Sequence, residues 1–176
     1  IFGFLGLNGA GKTTTIRMLL GMIRPSEGNV NVLGQALGPG GRGPWAQVGH
    51  LVESPSAYPE LTVRENLNIA RRLYGLKNPK AVDDVMEKLS IASYSKRKAG
   101  TLSMGNLQRL GLARTMIHNP SLLILDEPAN GLDPAGVVEI RELLADLAKN
   151  GVTVFMSSHI LTEVDRLATR IGIIHK

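Results

Sequence analysis

The sequence contains no cysteine. That excludes a disulfide scaffold, a Cys-based zinc site and a thiol nucleophile, and it is compatible with a reducing compartment. Nor does it contain a run of ~18 apolar residues, so nothing in it reads as a membrane span. Its start lacks a basic stretch leading into an apolar one, so no signal peptide is visible. There is no internal repeat and no heptad run. What remains is 176 residues, 43% hydrophobic and 20% charged, which is neither disordered nor fibrous. A chain of this length suits one domain and can bury roughly 70% of its unfolded surface. Lys plus Arg number 20 against 15 Asp plus Glu, a net charge of +5. This mild basic bias suits nucleic acid, anionic lipid or a phosphate ligand and selects none of them.

Apolar runs of strand length alternate with stretches of helical period, which predicts an α/β fold with a largely parallel sheet. Residues 1–5 read as a buried strand. Residues 12–23 read as a helix, with Ile16, Leu19, Leu20 and Ile23 on one face. Pro25 to Gly28 is a turn, and 30–33 alternates briefly like a strand. The stretch 34–44 holds five Gly and two Pro and reads as a loop. Thr62-Val63-Arg64-Glu65 is a capping box opening a helix to about Gly75. After Pro79 a second helix places Val82, Val85, Met86 and Leu89 on one face. A basic cluster (Lys96, Arg97, Lys98) precedes a third helix, which starts near Ser103 and ends before Asn119-Pro120. Leu122 to Leu125 is a short apolar strand. Pro134 to Asn150 is a helix with Val137, Ile140, Leu144 and Leu147 inward and Gly151 as its stop. A strand from Val152, a short helix over 161–168 and a strand from Arg170 complete the pattern. Residues of about 58–118 show no clear strand and read as a helical subdomain inserted into a core of about 1–57 and 119–176. Both ends read as strands cut from a longer protein.

Gly6-Leu7-Asn8-Gly9-Ala10-Gly11-Lys12-Thr13 fits the phosphate-loop pattern in full, between a strand and a helix. The glycines let the backbone curl so that several amides point at a phosphate, and the helix N-terminus adds partial positive charge. Lys12 supplies a point charge to the outer phosphates, and the Thr13 hydroxyl can ligate Mg²⁺. A Gly-rich turn that carries Lys-Thr by accident would arise in well under about one chain in a hundred.

Asp126 and Glu127 end the apolar strand 122–125, where ligands bind in open α/β sheets. Asp126 suits a Mg²⁺ ligand, and Glu127 suits a group that orients or deprotonates an attacking water. Alone, the pair could equally be a solvated strand end before the Pro128 turn. Leu102-Ser103-Met104-Gly105-Asn106-Leu107-Gln108-Arg109 opens a helix. Ser103 is a candidate N-cap, and Gly105 permits close backbone approach. Alone, this is an ordinary capped helix or a second helix terminus built to meet an anion.

These segments do not stand alone. The phosphate loop, Leu-Ser-x-Gly-x-x-Gln-Arg, Leu-Ile-Leu-Asp-Glu-Pro, Gly-Leu-Asp and Ser-Ser-His follow one another in an order that resembles the ATP-binding cassette (ABC) family of transport ATPases. The resemblance covers essentially the whole chain. It implies a P-loop NTPase core with an inserted helical subdomain, ATP and Mg²⁺ as ligands, and ATP hydrolysis. By the same resemblance, Gly6, Asn8, Gly9, Ala10, Gly11, Lys12, Thr13 and Thr14 hold the nucleotide. Thr13 and Asp126 hold the metal, and Glu127 and His159 act in catalysis. Ser103 and Gly105 meet the ATP of a second nucleotide-binding subunit, the same or different, in a head-to-tail dimer, and Asp133, counted with the nucleotide-binding residues, falls in the loop that communicates between the subunits. His159 could also be a plain helix-start residue, and Asp133 could be only an N-cap before Pro134.

The chain departs from that family's pattern in places. Where a Gln usually touches Mg²⁺ and water, Glu53 stands, a hard oxygen donor that can serve as a third metal ligand at the nucleotide site and adds negative charge there. Met104 and Asn106 replace the usual residues of the signature. Glu53-Ser54-Pro55, Tyr58 to Thr62, Glu65-Asn66-Leu67 and the basic run resemble the bacitracin- and lantibiotic-type export ATPases. The implied protein is the ATPase subunit of a membrane exporter of the antimicrobial-peptide or drug type. It would sit peripherally on the cytoplasmic face beside a transmembrane permease, with no nucleic acid expected. Two other classes compete: a non-transport cassette ATPase acting on ribosomes or DNA, and a nucleotide-regulated binding module.

Overall fold

The structure, a computed structural model, describes residues 1–38, 42–53 and 55–175, apart from the Glu163 side chain. Residues 39–41 of the loop read over 34–44, and Ser54 of the Glu53-Ser54-Pro55 run, lie outside the described residues. The elements in chain order are β1 (Phe2–Leu5), α1 (Lys12–Leu19), β2 (Asn31–Val32), β3 (Gln35–Ala36), β4 (Val48–Leu51), α2 (Val63–Leu73), α3 (Lys80–Lys88), α4 (Met104–Met116), β5 (Leu122–Leu125), α5 (Pro134–Lys149), β6 (Thr153–Ser158), α6 (Leu161–Asp165) and β7 (Arg170–Ile173). Five strands form one sheet in the order β4-β5-β6-β1-β7, every pairing parallel. The expected α/β architecture is therefore present.

The register sorts side chains by the two-residue period of a strand. Leu123 and Leu125 of β5, with Val154 and Met156 of β6, join the apolar cluster that contains Ile140, Leu144 and Leu147 of α5 and Leu110, Leu112 and Ala113 of α4. Ile124 faces the other way, into a smaller cluster with Ile16 of α1, Leu20 just after that helix, Val32 and Val48. Each of these fully buried Leu or Ile side chains contributes about 1.5–3 kcal/mol. The larger cluster also takes in Val63 and Leu67 of α2 and Val82 and Met86 of α3, so apolar packing runs without a break from the helical segment into the sheet.

Several elements differ from the sequence reading. The helix read over 12–23 ends at Leu19, because Gly21 adopts φ +67 and turns the chain, and Ile23 is left exposed. The strand read over 30–33 is one arm of a two-residue hairpin, with its partner β3 inside the stretch read as loop. Leu33 and Gly34 both have positive φ, +49 and +76, the backbone that a tight hairpin of this hand requires. Strand β4 was not expected, since Gly49 and His50 break any apolar run. Gly49 is required there by packing: a Cβ would lie 2.4 Å from the Thr115 carbonyl oxygen of α4. The Thr62–Glu65 capping box is present in full, and α2 follows from it. In 58–118 the described residues hold only one isolated bridge, Thr62 to Lys98.

Candidate functional site

Strand order decides which residues can meet. β6 lies between β5 and β1, so the loop after β1, the carboxylates after β5 and His159 after β6 all emerge at the carboxyl ends of three adjacent strands. The loop is shaped by its glycines. Gly11 adopts φ +103 as the N-cap of α1 and offers no side-chain hydrogen bond to that helix. The first-turn amides of α1 are thus left without a side-chain cap, which is the condition for receiving an anion. Gly6 is needed for space instead, since a Cβ there would come within 2.6 Å of Ile174.

Lys12 is 6% exposed. Its ammonium donates to the carbonyls of Gly6 (2.8 Å) and Leu7 (3.2 Å) and lies 3.2 Å from Oε1 of Glu127. The other oxygen of Glu127 is 2.8 Å from Nδ1 of His159. One carboxylate therefore bridges the loop lysine and the histidine after β6. Glu127 takes φ +49, a backbone that costs a non-glycine residue about 1–3 kcal/mol and persists only where the surroundings hold it. Its amide donates to the Ser157 hydroxyl at 3.0 Å. The same hydroxyl donates to Oδ1 of Asp126 at 2.5 Å, and Thr13 donates to Oδ2 at 2.7 Å. Both oxygens of the buried Asp126 are thereby used.

The Thr13 hydroxyl and the Asp126 carboxylate give two hard oxygen donors beside the phosphate cradle. Among the described residues no group of three or more His, Asp or Glu gathers into a cage. Two protein oxygens next to a phosphate cradle fit Mg²⁺, which keeps its waters and shares substrate phosphates. Ala10 is half-buried, and Asn8, Gly9 and Thr14 are exposed on the loop and first turn.

The remaining expected residues lie elsewhere. Glu53, with φ +61, turns to the outside of α1 and pairs with Arg17. It has no hydrogen bond to Thr13 or Asp126 among the described residues. Ser103 caps α4, accepting weakly from the Asn106 amide at 3.4 Å. Asp133 caps α5, accepting from the Gly136 amide at 2.9 Å, with Pro134 in the first turn. The cap reading of Asp133 thus holds in the structure, while His159 precedes the start of α6 and touches Glu127. Ser103, Gly105 and Asp133 line one open groove of about 610 Å³ with Asn106 and Arg109. None of the three reaches the Lys12–Glu127 cluster through a described hydrogen bond. The sequence reading gave no role to Ser157 or Gln108. The only available signal was their place inside the Ser-Ser-His and Leu-Ser-x-Gly segments.

Residues 1–130 match the family profile described as ABC transporter. The chain belongs to the ABC transporter family. Among its relatives, the bacitracin transport ATP-binding protein of Bacillus licheniformis is 48% identical over the whole chain, which covers 58% of that protein. The lantibiotic transport ATP-binding protein of Streptococcus pyogenes is 35% identical, again over the whole chain and 75% of that protein. A solved ATP-binding subunit of an ABC transporter superposes with a TM-score of 0.86 at 29% identity, covering 99% of this chain and 74% of that one. The chain thus spans somewhat less than three fifths of the bacitracin relative. As an ABC transporter chain it has the P-loop NTPase-like fold expected from its motifs, and no described helix is long and apolar enough to cross a membrane.

Proposed function

We propose that this chain binds and hydrolyses ATP to drive a membrane exporter of the antimicrobial-peptide or drug type. The observation that carries the reading is the convergence of Lys12, Glu127 and His159 over the phosphate loop, with Thr13 joined to Asp126 alongside. The amides of Gly9 to Thr13 and the Lys12 ammonium hold the triphosphate, whose negative charge draws Lys12 from the Gly6 and Leu7 carbonyls. That movement frees one oxygen of Glu127. His159 holds the other, so the freed oxygen can accept a proton from water attacking the terminal phosphorus. Mg²⁺ held by Thr13 and Asp126 would neutralise charge on the outer phosphates.

The Ser103, Gly105 and Asp133 groove accepts the nucleotide held by a second subunit, identical or not, in a head-to-tail pair. The segment 58–118 passes the resulting motion to a transmembrane permease, which places the protein at the cytoplasmic face of the membrane. Glu53 sits near enough in sequence to β4 to approach the metal once its pair with Arg17 opens. The relatives named for bacitracin and lantibiotic transport favour export over work on ribosomes or DNA.

Calorimetry on the full-length protein with Mg²⁺ tests the first half: heat on adding ATP is expected, and no heat from either ATP or GTP refutes it. Co-purification tests the second half. An apolar partner in the membrane fraction supports export, and recovery with ribosomes or DNA overturns it.

A further inference from the structure

We propose that Gln108 is a positioning residue that holds the turn carrying Glu127. This inference rests on the assignment of Glu127 to the chemistry. Gln108 belongs to α4, is 3% exposed, and its amide nitrogen donates to the Pro128 carbonyl at 2.7 Å. The turn has little backbone support of its own: the Asn130 amide donates to the Glu127 carbonyl at 3.0 Å. Two side chains from outside clamp it, Ser157 on the amide side of Glu127 and Gln108 on the carbonyl of the next residue. Pro128 is buried, so without the Gln108 amide its carbonyl loses a partner that water cannot easily replace. The strained Glu127 backbone then relaxes, and its carboxylate leaves the position from which it spans Lys12 and His159.

The neighbouring residue anchors the helix that carries Gln108. Arg109 donates to the Leu89 carbonyl at 3.2 Å and pairs with Glu139 of α5. These contacts tie α4 to the residue after α3 and to α5, and the turn takes its position from α4 through Gln108. Ser103 lies five residues earlier on the same helix, about 7.5 Å along its axis. A displacement at that end of α4 is delivered to Pro128 through a rigid element.

The test uses the full-length protein and two substitutions. Gln108→Met keeps the volume and removes the donor. Gln108→Glu places a carboxyl in a buried site, where burial raises its pKa, and only the protonated form can donate to Pro128. In Gln108→Met, kcat for ATP falls roughly 10- to 100-fold, as a displacement of about 1 Å near reacting groups produces, while nucleotide affinity stays within about twofold. Gln108→Glu is equally slow near pH 8 and recovers toward about pH 6 relative to the parent. Without nucleotide, the ring resonances of His159 shift in Gln108→Met, because its contact with Glu127 changes.

Turnover of Gln108→Met within about twofold of the parent overturns the proposal, as do unmoved His159 resonances. So does a loss that is equal in both variants at every pH and follows melting temperature, which marks a purely structural residue. A parent that fails to hydrolyse ATP defeats the ATPase reading instead, and the His159 comparison still decides the role of Gln108.

Discussion

Two regions of this molecule are built from helix termini and carboxylates, and they differ in how far the chain satisfies them. At the carboxyl ends of β5, β6 and β1, Lys12, Thr13, Asp126, Glu127, Ser157 and His159 each have a partner from another element. In the groove at the starts of α4 and α5, Ser103 and Asp133 satisfy only the amides of their own helices. The side chains of the first region are cross-linked within one chain. The second is an open groove with one wall. A site of the first kind is disrupted by single substitutions within the chain, whereas one of the second kind responds to whatever supplies the missing side.

The largest expected effect falls on the closed region. Glu127→Gln should retain nucleotide binding and lose turnover by about 10²- to 10⁴-fold, the usual contribution of a positioned base. Steady-state kinetics beside calorimetry check it, and normal turnover would remove Glu127 from the chemistry. Lys12→Ala should weaken ATP binding by at least about 10- to 100-fold, from the loss of charge-assisted hydrogen bonds. Unchanged affinity would break the comparison at its first term.

Ser103→Asp addresses the open region, because Asp is an equally good N-cap and adds negative charge where an anion would dock. Thermal stability and the ATP affinity of dilute protein should stay as they are, while turnover at high protein concentration falls roughly tenfold or more by like-charge repulsion. If dilute protein also loses affinity, the groove is not separate from the first site.

The smallest effect sharpens the contrast with a third place, where His118 stacks on Tyr74 at 3.7 Å and meets the Val48 carbonyl at 3.2 Å. Burial holds His118 below the ordinary histidine range, against the pull of the Val48 carbonyl and with the help of His50, which burial also lowers. The folded protein thus prefers these rings neutral, and the unfolded chain binds more protons below a pH of about 6.5. Their contribution to stability is fully present above that value and is lost as pH falls through it toward the lower folded values. Melting temperature measured between about pH 7.5 and 5.5 should drop more in the parent than in His118→Gln. Equal slopes would sink this account.

The phosphate loop, the acidic pair and the capping box were legible because each depends on local spacing: glycines before a helix, an apolar run that ends in charge, Thr and Glu three apart. β4 was not, because Gly49 answers to the Thr115 carbonyl of a helix more than sixty residues away and leaves no alternation to read. The arm at Gln35–Ala36 was hidden by the glycine-rich composition around it. Ser157 gave no signal either: a serine on a strand looks the same whether it faces solvent or, as here, links Asp126 to the Glu127 amide. Glu53 was read by its place in a motif, and the structure turns it to Arg17 on another element. Local rules reached the parts of the site that one segment builds, and long-range contacts set the rest.

The bare first turn of α1, opened by Gly11 in place of a hydroxyl or carboxyl cap, has a consequence for stability. A phosphate compound seated there would supply the missing cap, and the folded population would then rise with its concentration by mass action.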